Sequence, residues 1–339
     1  MATTAEPAAV LGGQVASGLL EVTDDLRALD DGGRWAVAVP YSGPPVLARF
    51  ADWRLGSPGD VAGPWRGPDA WSSSLSRSAY IAAVEFVRAR IAEGGVYQAN
   101  VCRVLEATLP EADAMDIAGL YALLSDGNPA PHGGMLRLPD QDVHIASASP
   151  ELFLRRDGSI LESGPIKGTG RIADDLTAKD EAENIMIVDL VRNDLSRVCD
   201  RVSVPALLAL ESHPGLVHLV STVAGELREG VGWPAILEAT FPPGSVTGAP
   251  KIAALRHIEA VESAEREFYC GAFGWVDADA GTASLAVAIR TFWREGDTLR
   301  FGTGAGITWG SDAEAEWSET ELKAARLIDL AGRTWGLPG

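Results

Sequence analysis

Four acidic residues in this chain form two pairs with the same spacing. Asp180 and Glu183 lie in KDEAENIMIVDLVRNDLSRVC (179–199), and Glu316 and Glu319 lie in 311–330. A helix turns about 100° per residue, so residues three apart share a face. Each pair then presents two carboxylates on one side of a helix. Oxygen-only ligands suit a hard cation such as Mg²⁺ and not zinc. One or two carboxylates with retained waters leave room on the ion for an anionic substrate. Anion-favouring groups accompany them. Arg290 stands in an apolar run, Lys323 shares the stripe of Glu316 and Glu319, and Lys167 follows a hairpin. The glycines of GTGAGITWG (302–310) precede a helix N-terminus as a plausible anion nest. The composite is a metal-bridged site for a small polycarboxylate. The blander alternatives are solvated helix faces, acids favoured by a helix macrodipole, and an Arg290 salt bridge to a structural carboxylate.

Helices must hold those acids. Residues 179–199 contain no Gly or Pro and carry apolar residues on nearly every side, which predicts one buried helix. Buried carboxylates need a cation, a metal or donors. Ser311 and Glu314 have capping-box spacing for the second helix, and Leu327 and Leu330 continue its inward stripe. Ser76–Glu93 has helical spacing and stops at Gly94-Gly95, and Val96–Leu109 is rich in strand formers. Asp157-Gly158 between LFLRR and SILES is a hairpin signal. Glu151 and Lys167 bracket that hairpin, so antiparallel pairing brings them together. Leu216–Val223 reads as a strand carrying His218, and Trp233–Thr240 as a short helix. Pro242–Lys251 is a turn into a helix. Tyr269–Val276 and Ala283–Trp293 read as apolar strands, with Arg290 inside the second. Gly56–Ser74 is rich in Gly, Pro and Ser and reads as a loop or connector.

The chain has 339 residues, 46% hydrophobic and 22% charged, with a net charge of −19. That charge argues against nucleic-acid and anionic-membrane partners, which require a basic surface. Cys102, Cys199 and Cys270 are widely spaced without CxxC, which suits a reduced, cytoplasmic setting. No signal-peptide pattern opens the sequence, and no apolar run approaches the roughly 20 residues of a membrane span.

Nine segments occur in an order that resembles the chorismate-utilising enzymes. They are GGVYQAN (94–100), ASASPELFL (146–154), SGPIKGTGR (163–171), KDEAENIMIVDLVRNDLSRV (179–198), HLVSTVAGEL (218–227), PPGSVTGAPKI (242–252), YCGAFGW (269–275), AIRT (288–291) and GTGAGITWGSDAEAEWSETELKA (302–324). That family comprises anthranilate synthase component I, aminodeoxychorismate synthase component I, isochorismate synthase and salicylate synthase. The resemblance implies an α+β fold of antiparallel sheets packed as a sandwich, helices outside and the site in a central cleft. It implies a short N-terminal portion (1–75, with the connector 56–74) and a chorismate-binding catalytic portion (76–339). It implies Mg²⁺ held by Glu183 and Glu319, with Asp180 and Glu316 holding metal-bound water. It makes Tyr269, Arg290, Lys323 and the backbone of Gly304, Ala305 and Gly306 the cradle for a substrate carboxylate. His218 would sit beside the ring, and Thr247 in the same pocket.

Two positions separate members of the family. Isochorismate and salicylate synthases resemble VYQAN but carry Lys as a general base where this chain has Gln98. Gln takes no proton at neutral pH, so ammonia is favoured over water as nucleophile. Anthranilate synthases usually show Ala where this chain has Lys167, and aminodeoxychorismate synthases show Lys, a covalent nucleophile. Glu151 resembles the general acid for the departing hydroxyl. The resemblance is therefore nearest to aminodeoxychorismate synthase component I, which makes 4-amino-4-deoxychorismate for p-aminobenzoate and folate. The alternatives are anthranilate synthase component I and a non-catalytic chorismate-binding subunit. No cysteine motif for glutamine hydrolysis is visible, so a separate glutamine amidotransferase subunit would deliver ammonia. GLLEV (18–22) only partly matches the LLES-type segment that binds tryptophan in some relatives.

Overall fold

Short β-rich runs broken by turns assemble into one extended antiparallel network. The computed structural model describes residues 5–170, 172–213 and 216–337. Among these residues eighteen strands hydrogen-bond into a single sheet system. Six α-helices lie against it: α1 (Arg77–Ala92), α2 (Ile117–Gly127), α3 (Ala178–Ser196), α4 (Trp233–Thr240), α5 (Lys251–Val261) and α6 (Ala313–Ala331). One core packs α3 and α4 on the sheet, a second packs α2 and α6, and a third packs α1 and α5. The expected arrangement, antiparallel strands with helices outside, is what forms. No helix among the described residues is long and apolar enough to cross a membrane.

Local signals set most boundaries. The Ser76 hydroxyl accepts the Ala79 N–H and starts α1, and Gly94 follows it at a φ of 78°. Residues 152–157 pair with 160–164 across a turn whose Gly158 has a φ of 58°. The central strand is Gln98–Thr108. It pairs with Thr298–Ile307 from Thr108 opposite Thr298 to Ala99 opposite Ile307.

Three expectations about the glycine and arginine segments change. Residues 302–307 continue a strand and form no loop nest. Glycine there permits close approach: a Cβ on Gly302 would lie 2.0 Å from the Tyr269 ring, and one on Gly304 2.7 Å from the Val101 carbonyl. The Ala283–Trp293 run is two strands, Thr282–Val287 and Thr291–Glu295, and Arg290 lies in the break at a φ of 53°. Asp312, not Ser311, caps α6, accepting the Ala315 N–H at 2.9 Å. Ser311 instead accepts the Thr308 N–H at 3.0 Å, and Glu314 pairs with Arg77.

Two further elements stand out. Cys199–His213 is a long edge strand interrupted by three register shifts. The Gly/Pro-rich segment is fastened down, because Trp65 is fully buried and its Nε1 donates to the Ala331 carbonyl at 3.0 Å. Trp65→Ala should cost about 3–5 kcal/mol of stability, read from urea unfolding.

Candidate functional site

The hairpin does bring Glu151 and Lys167 into one pocket. The Glu151 carboxyl is buried and accepts the Ser245 hydroxyl and the Ile166 N–H. Burial raises its pKa, although Ser245, Lys167 and the Ile166 N–H all oppose the shift. Lys167 is half-buried, and its Nζ donates to the Ser245 carbonyl at 3.3 Å. Burial lowers its pKa, against the pull of Glu183 and Glu151. Ser245 thus touches both groups. It is the residue that sequence reading passed over; its signal was the serine inside PPGSVTGAPK.

Gln98 faces the same space. It is fully buried, and among the described residues neither of its amide atoms has a hydrogen-bond partner. A Cβ on Gly306 would lie 2.5 Å from Gln98 Nε2 and 3.4 Å from Lys167 Nζ. The amide and the amine therefore flank the gap that Gly306 leaves. A buried amide without partners carries a desolvation cost that a bound ligand could offset.

The two acidic helices also converge. Lys179 Nζ lies 3.7 Å from Glu183 and 3.6 Å from Glu316, so one ammonium touches an acid on α3 and an acid on α6. Burial raises the Glu316 pKa despite its Ser311 hydrogen bond. At Glu319 burial pushes upward, but Lys323 at 2.6 Å, with Lys167 and Lys179, holds the pKa below the usual range. Thr308 Oγ1 donates to Glu183 at 3.4 Å. Asp180 is turned to its own helix start, accepting the Thr177 N–H at 2.8 Å and hydroxyl at 2.7 Å. Among the described residues no three acids form a ready-made metal cage. Two carboxylates that already converge on one ammonium fit a hard cation that keeps most of its waters.

The anion-binding candidates divide. Arg290 is half-buried in a left-handed backbone conformation, and Glu151 is the charge that acts on it. Among the described residues its guanidinium makes no hydrogen bond or ion pair. Lys323 is anchored by Glu319 and by the Gly304 carbonyl at 3.1 Å. Ala305 turns to the α1 core, while Gly306 faces Gln98 and Lys167. Tyr269 is buried against Gly302, and its hydroxyl bonds to the Cys102 thiol; its described partners do not include Arg290 or Lys323. The Thr247 hydroxyl donates to the Pro243 carbonyl at 3.0 Å, so it braces its own loop. His218 is buried opposite Thr169 and Glu211, on the strand that pairs with the Lys167 strand.

A profile of the family described as chorismate binding enzyme matches residues 57–329. This chain belongs to the chorismate-binding enzyme family. Aminodeoxychorismate synthase component 1 of Salmonella typhimurium is 35% identical over 279 residues, covering 78% of this chain and 60% of the relative. Anthranilate synthase component 1 of Saccharolobus solfataricus is 37% identical over 276 residues, covering 77% and 64%. The chain thus spans about six-tenths of the length of the curated relatives it matches. Among solved structures, the menaquinone-specific isochorismate synthase of Escherichia coli shares the fold at a TM-score of 0.80 and 19% identity, covering 98% and 90% of the two chains. Anthranilate synthase component I of Streptococcus pneumoniae shares it at 0.76 and 23%, covering 97% and 93%.

Arg290, strained and without a hydrogen bond or ion pair among the described residues, is a cost to folding. Arg290→Gly should raise stability by about 1 kcal/mol in urea unfolding. A loss of stability would mean that the guanidinium has a structural partner.

Proposed function

We propose that this chain aminates chorismate at C4, the reaction of an aminodeoxychorismate synthase component 1. The observation that carries the reading is Lys167 beside Glu151, both bound to Ser245, with Gln98 across the Gly306 gap. The neutral Lys167 amine attacks C2 of the ring. The ring double bonds shift, and the C4–O bond breaks as Glu151 gives its proton to the hydroxyl, which leaves as water. Ammonia then attacks C4 and expels the lysine nitrogen from C2. The Glu151 carboxylate takes up the proton that the incoming ammonia sheds. Each group must be neutral at the start, and burial drives each that way.

Gln98 supports ammonia over water, since its amide can hold a nucleophile but not deprotonate one. Arg290 and Lys323 are suited to the side-chain carboxylate of the substrate. Glu183 and Glu319, with Glu316 beside them, would hold Mg²⁺, whose charge would grip the ring carboxylate. Asp180 serves the start of α3. Ammonia would come from a separate glutamine amidotransferase, and the product would feed p-aminobenzoate and folate synthesis. The second reading is anthranilate synthase component 1, since relatives of that name are as similar. It has no use for a nucleophilic Lys167.

With chorismate, ammonium and Mg²⁺, the product fluorescence should be that of the para amine after pyruvate loss, and not of the ortho amine. Lys167→Ala should cut para-amination by a factor of about 100 or more, the scale of a lost nucleophile. Full para-amination in that variant would sink the covalent route. The wild-type rate should rise with pH as Lys167 loses its proton, through a pKa below the ordinary lysine value of 10.5, and that rise should vanish in Lys167→Ala.

A further inference from the structure

We infer that Arg266 is a positioning residue for the chemistry at Lys167 and Glu151, acting through two backbone carbonyls that it holds. The inference rests on the function proposed above. The strand Gln98–Thr108 is paired along one edge from Ala99 to Thr108. Its other edge is paired only toward the ends, by Gly248–Ala249 at Ala99 and Gln98 and by Ser72–Ser73 at Glu106 and Leu105. An ion pair fills the gap. Glu262 accepts the Cys102 N–H at 2.8 Å, and Arg266 donates to the Asn100 carbonyl at 2.9 Å. The same guanidinium donates to the Val246 carbonyl at 2.8 Å and to both Glu262 oxygens at 2.8 and 2.6 Å. It is 2% exposed and lies 4.6 Å over the Tyr41 ring.

This guanidinium therefore fixes the loop that carries Ser245 against the strand that carries Gln98. Ser245 is one residue from Val246, and Gln98 is two from Asn100. Ser245 in turn contacts both Lys167 and Glu151. A shift of that loop misaligns nucleophile and acid while leaving Arg290 and Lys323 where they are. Misalignment of this kind lowers kcat with little change in substrate affinity. The planar fork of arginine serves carbonyls and a carboxylate at once, which a lysine ammonium cannot.

Removing Arg266 alone strands the Glu262 charge, so the test uses two variants. They are Arg266→Lys and the double variant Glu262→Gln, Arg266→Met, each checked for folding by thermal melting. Chorismate consumption is measured with ammonium and Mg²⁺. Per folded molecule, kcat should fall by about tenfold or more in the double variant, and KM should stay within about threefold. Arg266→Lys should fall between it and the wild type, and it carries the test if the double variant does not fold. Wild-type kcat in folded variants overturns the inference, and so does a raised KM with kcat unchanged. The ratio to wild type reads this inference whichever amine is made, whereas the identity of the amine reads the proposed function. A wild-type protein that consumes no chorismate overturns both.

Discussion

Everything at this site depends on desolvation prevailing over attraction between Lys167 and Glu151. At about 4 Å and an effective dielectric near 20, two opposite charges attract by about 4 kcal/mol. That favours an ion pair. Here burial moves the acid up and the amine down in spite of that attraction. Burial thus pushes the acid toward keeping its proton and the amine toward keeping its lone pair. Such a pair can give a proton and an electron pair to one molecule bound between them.

The fold supplies that constraint piece by piece. A two-residue turn at Gly158-Ser159 returns the chain so that Lys167 comes back beside Glu151. The loop before α5 contributes Ser245 to both. A ten-residue ladder positions Gly306 opposite Asn100, leaving a gap where any side chain would fill the pocket. The acids of α3 and α6 meet a few ångströms from the same lysine-rich space. Arg290 contributes a half-buried cation from a strained break in the sheet. Folding energy is thus spent on groups that only a ligand can satisfy.

Much of this was legible in the sequence because it is local. The i, i+3 spacing of Asp180 with Glu183 and of Glu316 with Glu319 follows from helix geometry alone, and the hairpin signal at Asp157-Gly158 falls one residue from the turn that forms. The rest is set by distant neighbours. Glycines 302–306 read as a loop, but the Tyr269 ring and the Val101 carbonyl decide that they form a strand. Ser311 and Asp312 can each cap a helix, and only the position of Thr308 selects between them. The edge strand Cys199–His213 hides because its register shifts break the alternation of a regular strand. Lys179 gains its role only once α6 is packed beside it. Ser245 has no spacing signal, since its two partners come from different strands.

The most direct test of the central claim is intact-protein and peptide mass spectrometry of the chain incubated with chorismate and Mg²⁺ but without ammonia. The account predicts an adduct of chorismate less one water on Lys167, discharged when ammonium is added. Para-amine formation with no adduct on Lys167 at any time would contradict it.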